Sequence, residues 1–494
     1  MNKKNAVIIG SGFGGLAATC RLAAMGYHCT LLERNPDFGG RARVFKQDGF
    51  TFDAGPTVIT ARYLIDELFN LLGEQSSDHL QFVQLDPWYT YIFEDGAKFV
   101  YGGTQEKTLE NIAALSPEDV DNYSKFIDFS KSVFERGYQQ LASHPFTRFT
   151  EMLAQAPYLL KLRSDRSVYE CVKHYFKNEY LVNAFSIPPL LVGGNPLTTT
   201  SIYLLIHYLE NKWGVEYSVG GTGAIVTALI KVLQFKGIQC LPNHDVVKIY
   251  RGHNGHGNYK VECANGSIFD ADVVVCNSDP HWLFSKVLED IHPSRFRQLL
   301  GKRYHYSMGL FVGYFGTDKM YPSVSHHTIY LQKDMRSSLQ KIFSNQPTEP
   351  PFNLYLHHPT ATDPSVAPPG HETFYVLVPV GNTQSGINWQ QYGAQFWETV
   401  KQQLENTLLP DLTKHIKTEK FVTPYYFEQD LASYHGSGFG IQPLFTQSAW
   451  FRFLNQPIKN EQIYLVGANT HPGAGVPGVI NSAKIVEKLM QQRR

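Results

Sequence analysis

Three glycines near the start of the chain, Gly10, Gly12 and Gly15, stand at the spacing G-x-G-x-x-G, with Ser11, Phe13 and Gly14 between them. Such a run can hold a pyrophosphate through its backbone. The first glycine makes a tight turn, the second lets the main chain approach the phosphates, and the third lets a helix pack closely on a strand. Glu33 follows Gly10 by 23 positions, the distance at which a carboxylate grips ribose hydroxyls. Strand, turn, helix and strand are needed to place these groups. Ala6-Val7-Ile8-Ile9 predicts the first strand, residues 16–25 an alanine-rich helix stopped by Gly26, and residues 29–33 the second strand. The unit is a βαβ of about 30 residues, as parallel pairing requires. Unpaired N–H groups and the positive end of the helix complete the seat for phosphates.

More of the same chemistry follows at once. Arg34 precedes Gly39-Gly40-Arg41-Ala42-Arg43, which offers another backbone turn and a bidentate cation for the pyrophosphate. A simple nicotinamide dehydrogenase needs no second clamp. The G-x-G-x-x-G at Gly10 is taken as the only fingerprint in the chain, whereas flavin reductases fed by a nicotinamide usually carry two nucleotide folds. The better reading is a flavin that takes electrons from the substrate itself.

Composition narrows the classes. The 494 residues include 44 basic and 44 acidic side chains, and this zero net charge argues against binding nucleic acid by phosphate neutralisation. With 43% hydrophobic, 13% aromatic and 18% charged residues, the chain is not disordered and suits a large core or an oily ligand. Cys20, Cys29, Cys171, Cys240, Cys263 and Cys276 form no C-x-x-C pair, as expected of reduced thiols inside a cell. Lys3 and Lys4 before an uncharged run outline a signal peptide, but the glycines from Gly10 to Gly15 spoil its apolar helix.

Further strands are expected at residues 271–276 and 462–466, the latter followed by a Gly/Pro-rich turn and a helix over 479–490. The nucleotide-binding layer is therefore assembled from both ends and the middle of the chain. Residues 88–93 and 97–101 around Asp95-Gly96 read as a hairpin, residues 373–378 as another strand, and 105–185 as mostly helical. From Tyr180 to Leu209 there is no charged residue, yet Pro188, Pro189, Gly193, Gly194 and Pro196 interrupt the stretch and exclude a lipid-exposed span. It reads as buried short helices, a substrate channel or a segment dipping into one leaflet. His253-x-x-His256, His326-His327 and His357-His358 could supply ligands, but tandem histidines are not a metal spacing and the first pair reads as a surface loop, so no metal is expected. Gly436-Ser437-Gly438 lacks the spacing of an acyl-transfer nucleophile.

Several blocks together carry a resemblance: Gly39-Gly40-Arg41-Ala42-Arg43, residues 49–57, Leu191-Val192-Gly193-Gly194-Asn195-Pro196, residues 220–224, Tyr434-His435-Gly436-Ser437, residues 447–452 and residues 465–478. The chain resembles the bacterial phytoene desaturases of the flavin amine oxidase superfamily almost end to end. The resemblance implies an α/β fold with a discontinuous Rossmann-like FAD-binding domain (1–75, 215–300 and 455–494). A mixed-sheet substrate domain (76–145 and 301–454) and a helical membrane or substrate-channel region (146–214) would complete it. Gly10, Ser11, Gly12, Phe13, Gly14, Gly15, Glu33, Arg34, Gly40 and Arg41 would surround the ADP half of FAD, with Gly55, Pro56 and Thr57 also at the cofactor and Val246 beside the adenine. Gly467, Ala468, Gly475 and Val476 would approach the ribityl chain and ring, where a helix opening at Val476 favours the reduced anion. FAD would be non-covalent, since no cysteine follows Cys276.

Glu151 matches an acidic position of the family and is the candidate base; apolar surroundings would raise its pKa toward neutrality. The implied activity is stepwise conversion of phytoene, a forty-carbon carotenoid precursor, to lycopene, with neurosporene as runner-up product. Oxygen or a quinone would accept the electrons. The enzyme would be cytoplasmic and peripherally attached to a membrane surface through residues 180–209. Other readings stay open: a carotenoid oxygenase, a saturase or an amine oxidase on the same scaffold, or a non-catalytic prenyl-binding protein.

Overall fold

The apolar run that opens the chain is buried on both faces, as a central parallel strand requires. In the computed structural model, which describes residues 3–252, 258–288 and 304–492, this run is β1 (Asn5–Ile9), followed by α1 (Phe13–Ala24) and β2 (His28–Leu32). Later come the hairpin β3 (Tyr89–Phe93) and β4 (Lys98–Tyr101), then helices α2 (Val120–Phe134) and α3 (Leu205–Trp213). Next are β5 (Gln239–Leu241) and β6 (Val273–Cys276). The strands β7 (Gly309–Thr317), β8 (His327–Leu331), β9 (Leu354–His357), β10 (Glu372–Val380) and β11 (Ile416–Val422) follow. The C-terminal pieces are β12 (Ile463–Leu465) and α4 (Val476–Gln491).

Two sheets position the site. A parallel sheet has the order β12-β6-β1-β2-β5, so its strands come from both ends and the middle of the chain. A seven-stranded mixed sheet has the order β11-β7-β10-β9-β8-β3-β4, antiparallel except where β8 runs parallel to β3. Small residues on α1 let it lie close against the parallel sheet and α4. Arg21, 2% exposed, bridges Glu67 at 3.0 Å and Glu487 at 2.7 Å and so fastens α1 to α4. Two carboxylates offset the cost of burying that guanidinium.

The uncharged stretch 180–209 is interior. It comprises a helix, Glu179–Ser186, two 3-10 turns, Pro188–Val192 and Ser201–Leu204, and the first residues of α3, and only Thr198 is exposed. Its lack of charge reflects core packing and a cavity wall, which corrects the expectation of a membrane-facing surface. Among the described residues no helix is long and apolar enough to cross a membrane. His253 and His256 lie outside the described residues.

Candidate active site

A cavity of about 510 Å³ joins the glycine-rich turn after β1 to the face of the mixed sheet. At its polar end the turn is shaped by close contacts. Gly10 has φ +91° and donates its N–H to Leu32 O at 2.8 Å. A Cβ on Gly15 would lie 1.9 Å from Gly10 O, so this glycine serves helix-on-strand packing and does not line the cavity. Ser11 donates its N–H and hydroxyl to Glu33 Oε2 at 3.0 and 2.6 Å, and accepts the Gly39 N–H at 2.9 Å. Glu33 is thereby locked to both glycine turns. No side chain caps α1 and no acid stands in its first turn, which leaves its N–H groups free for an anion.

Gly40 faces Gly12, and Arg41 extends beside them. Its guanidinium donates to Ser433 Oγ at 2.9 Å, while its Nε is buried without a partner. Burial lowers the Arg41 pKa, opposed by the charge of Asp279. Burial in turn lifts the Asp279 carboxyl to about 6 against the bonds it accepts. Arg34 lies 3.6 Å from Asp245, and Val246 borders the same end.

The other end is framed by Gly467, Ala468, Gly475 and Val476, and by Gly55, Pro56 and Thr57. Gly473-x-Gly475-x-x-Gly478 repeats the N-terminal spacing after β12, which corrects the expectation of a single such run. A Cβ on Gly478 would stand 2.6 Å from Gly473 O, the same packing device as Gly15 on Gly10. It brings α4, whose N-terminus is also uncapped, to the same cavity. Thr57 Oγ1 bonds Tyr355 Oη at 2.7 Å, and Tyr355 Oη bonds His327 Nδ1 at 2.7 Å. Two uncapped helix ends, a glycine cradle and an unpartnered guanidinium nitrogen fit an ADP-linked flavin. None of the six cysteines lines the cavity, which fits a non-covalent one.

Glu151 stands elsewhere. Its carboxylate accepts the N–H groups of Thr147 at 2.8 Å and Arg148 at 3.4 Å, capping the short helix Phe149–Leu153, and it does not line the cavity. Partial burial raises its pKa, but these bonds and the neighbouring His144 outweigh that and leave it below the ordinary value. That is the reverse of the expected shift and removes the ground for a base there.

The tandem histidines meet because β8 pairs with β9, placing His327 opposite His357. Nitrogens of His326, His327 and His357 lie within 4.8 Å of one another. His326 bonds Thr362 and His357, and His327 Nδ1 bonds Tyr355, while His327 Nε2 is buried without a partner. Sequence reading missed Asn277, whose side chain lies against Gly10, Gly12, Gly14 and Gly467. Its signal was its place just after β6, at the C-terminal edge of a parallel sheet. Glu210 and Tyr355 on the cavity wall were missed as well.

This fold and site define a dinucleotide-binding flavoprotein. The chain matches the family of flavin containing amine oxidoreductases over residues 13–486 and belongs to it. A phytoene desaturase (lycopene-forming) of Pseudescherichia vulneris is 41% identical over 488 residues, with 99% of each chain covered. A phytoene desaturase (neurosporene-forming) of Rhodobacter capsulatus is 36% identical over 490 residues, covering 98% of this chain and 93% of its own. A crystal structure of an oxidoreductase from Methanosarcina mazei aligns with a TM-score of 0.66 over 99% of this chain and 100% of its own. At 17% identity it shares the fold.

Proposed function

We propose that this protein is an FAD-dependent carotenoid desaturase that converts phytoene stepwise to lycopene. The observation that carries the reading is a mostly apolar cavity continuous with the dinucleotide seat, in a chain alike end to end with enzymes of that name. Bound FAD supplies the oxidant that accepts hydride. Gly10, Gly12 and Gly14 would hold its phosphates, Glu33 the ribose and Arg41 the negative charge, while Gly475 and the N-terminus of α4 would face the ring. Leu310 and Val312 of β7, Ile329 and Leu331 of β8 and Leu377 of β10 wall the remaining space, where a polyene can lie and water is excluded. How far the polyene slides past the ring sets the number of steps, and neurosporene is the product of stopping short. Oxygen or a quinone takes the electrons onward.

The substrate resides in a bilayer, and a second surface supports peripheral contact with one. Phe149, Leu153, Tyr158 and Leu160 are exposed, Leu160 at 68%, and Phe149 packs its ring 5.1 Å from that of Trp450. Met152, Gln155 and Leu159 of the same segment line the cavity, so this surface stands at the entrance. The test of function is expression in cells that accumulate phytoene, with chromatography of their pigments. Lycopene or neurosporene is the expected product. Colourless cells holding folded, flavin-loaded protein would overturn the reading.

A further inference from the structure

α3 carries one side chain at odds with its surroundings. Glu210 lines the cavity, is 1% exposed, and accepts the Tyr89 hydroxyl on Oε1 at 2.7 Å; its Oε2 is buried without a partner. The other carboxylates of the cavity, Glu33, Asp245 and Asp430, belong to the polar end, where Asp430 O accepts the amide of Asn35. Glu210 is therefore the one acid among the described residues of the apolar part.

The groups around it are uncharged. Tyr89 and Tyr91 of β3, Tyr101 of β4 and Tyr123 of α2 face it, and each is held in its phenol form by burial and by the negative charge Glu210 would carry. On α3 itself, His207 bonds Phe185 O at 2.8 Å, and burial lowers its pKa to about 4. Behind Tyr89, at 5.8 Å between rings, lies His327, lowered by burial to about 3. No cation pairs with Glu210 among the described residues. Burial lifts its carboxyl to about 8, opposed by the Tyr89 hydrogen bond. An isolated carboxylate would be costly here unless it had work for its free oxygen.

We propose that Glu210 takes the proton that the substrate loses in each desaturation, an inference that rests on the function proposed above. A CH2–CH2 unit becomes CH=CH as two C–H bonds break and one π bond forms. One hydrogen leaves with both electrons as hydride to the oxidised flavin. The other leaves as a proton to Oε2 of Glu210, whose lone pair forms the new O–H bond. Neighbouring double bonds spread the positive charge between the two events, so a single weak base in a dry wall suffices. Ionised Glu210 is the active form.

The test uses flavin-loaded protein with phytoene in phosphatidylcholine vesicles. Turnover should rise with pH through about 8. Glu210→Gln should keep its flavin, lose roughly 100-fold or more in turnover and lose that pH dependence. Tyr89→Phe should move the midpoint upward, because a bond favouring the anion is gone. Independently of activity, the infrared carbonyl band of a protonated carboxyl should titrate near the same pH in flavin-free wild-type protein. Full turnover with an unchanged pH profile in Glu210→Gln would sink the proposal and leave the desaturase reading standing. No coloured product from flavin-loaded wild type would sink both. Should Glu210→Gln not fold, absence of a carboxyl titrating between about pH 7 and 9, above Asp279 at about 6, in the wild-type infrared spectrum decides against it.

Discussion

Buried Arg21 and half-buried Glu487 form an ion pair at 2.7 Å across 466 residues of sequence, joining the first helix to the last. Glu67 completes the arrangement from a third segment, at 3.0 Å. The pair holds α4 against α1, and so keeps the two uncapped helix N-termini on one cavity.

Truncating this arginine should therefore loosen both ends of the site. Arg21→Ala removes the buried member shared by half-buried Glu67 and Glu487, while Lys484 stays on Glu67 at 2.9 Å, and about 2–3 kcal/mol of stability should be lost. Guanidinium unfolding monitored by both far-ultraviolet circular dichroism and flavin fluorescence measures it. A loss under about 1 kcal/mol would mean that α4 is held by its apolar face alone.

The glycines of the first turn should separate into two kinds. Gly12 borders the cavity, and a Cβ there would already stand 2.9 Å from Asn277 Nδ2, so the branches of Gly12→Val fill the space phosphates need. Folded protein without flavin is expected. Gly15→Ala instead drives a Cβ to 1.9 Å from Gly10 O, and the helix must shift off its strand. That variant should lose about 3 kcal/mol of stability before any question of cofactor arises. Absorbance at the flavin bands and thermal melts of both variants distinguish the two roles.

Glu151→Gln should leave turnover near wild type and cost about 1 kcal/mol, the scale of a lost helix cap. The sign with pH follows from its lowered folded pKa. Its contribution is present above the unfolded carboxyl's pKa and is lost as pH falls through the folded value. The wild type and the variant should therefore converge in stability only in acid, as urea melts at pH 7 and pH 3 would show.

Much of the nucleotide-binding layer was legible because it depends on local rules. Residues 6–9 and 29–33 fell within a residue of β1 and β2, and Gly26 marked the end of α1. The helix itself begins earlier than expected, at Phe13, because Gly14 and Gly15 are inside its first turn; tight packing overrides their poor helix propensity. The apolar part of the site was not legible. Glu210 stands in Leu209-Glu210-Asn211-Lys212-Trp213, where nothing local tells a buried acid from its solvated neighbours. Only the docking of α3 on β3 and α2 turns it inward. The stretch 180–209 misled for the converse reason. Missing charge records burial and cannot say whether protein or lipid does the covering, whereas Leu153 and Leu160, exposed on short helices that also carry Glu151 and Lys161, gave no such signal.

The entrance helices supply the last prediction. Leu153 is 54% exposed and Leu160 68%, on a segment whose Met152, Gln155 and Leu159 reach the cavity. With both side chains more than half exposed, Leu153→Asp and Leu160→Asp together should change stability by no more than about 0.5 kcal/mol. Each aspartate placed at a headgroup boundary both removes buried apolar area and adds a charge that anionic lipid repels, so vesicle binding should fall about tenfold or more. Flavin content should stay at the wild-type level, and turnover of phytoene in vesicles should fall in step with binding. Detergent-dispersed phytoene needs no bilayer docking, and with it the double variant should approach the wild-type rate. Unchanged co-sedimentation with vesicles of anionic phospholipid would remove this surface from the contact and leave the entry route of the polyene to be sought at another face.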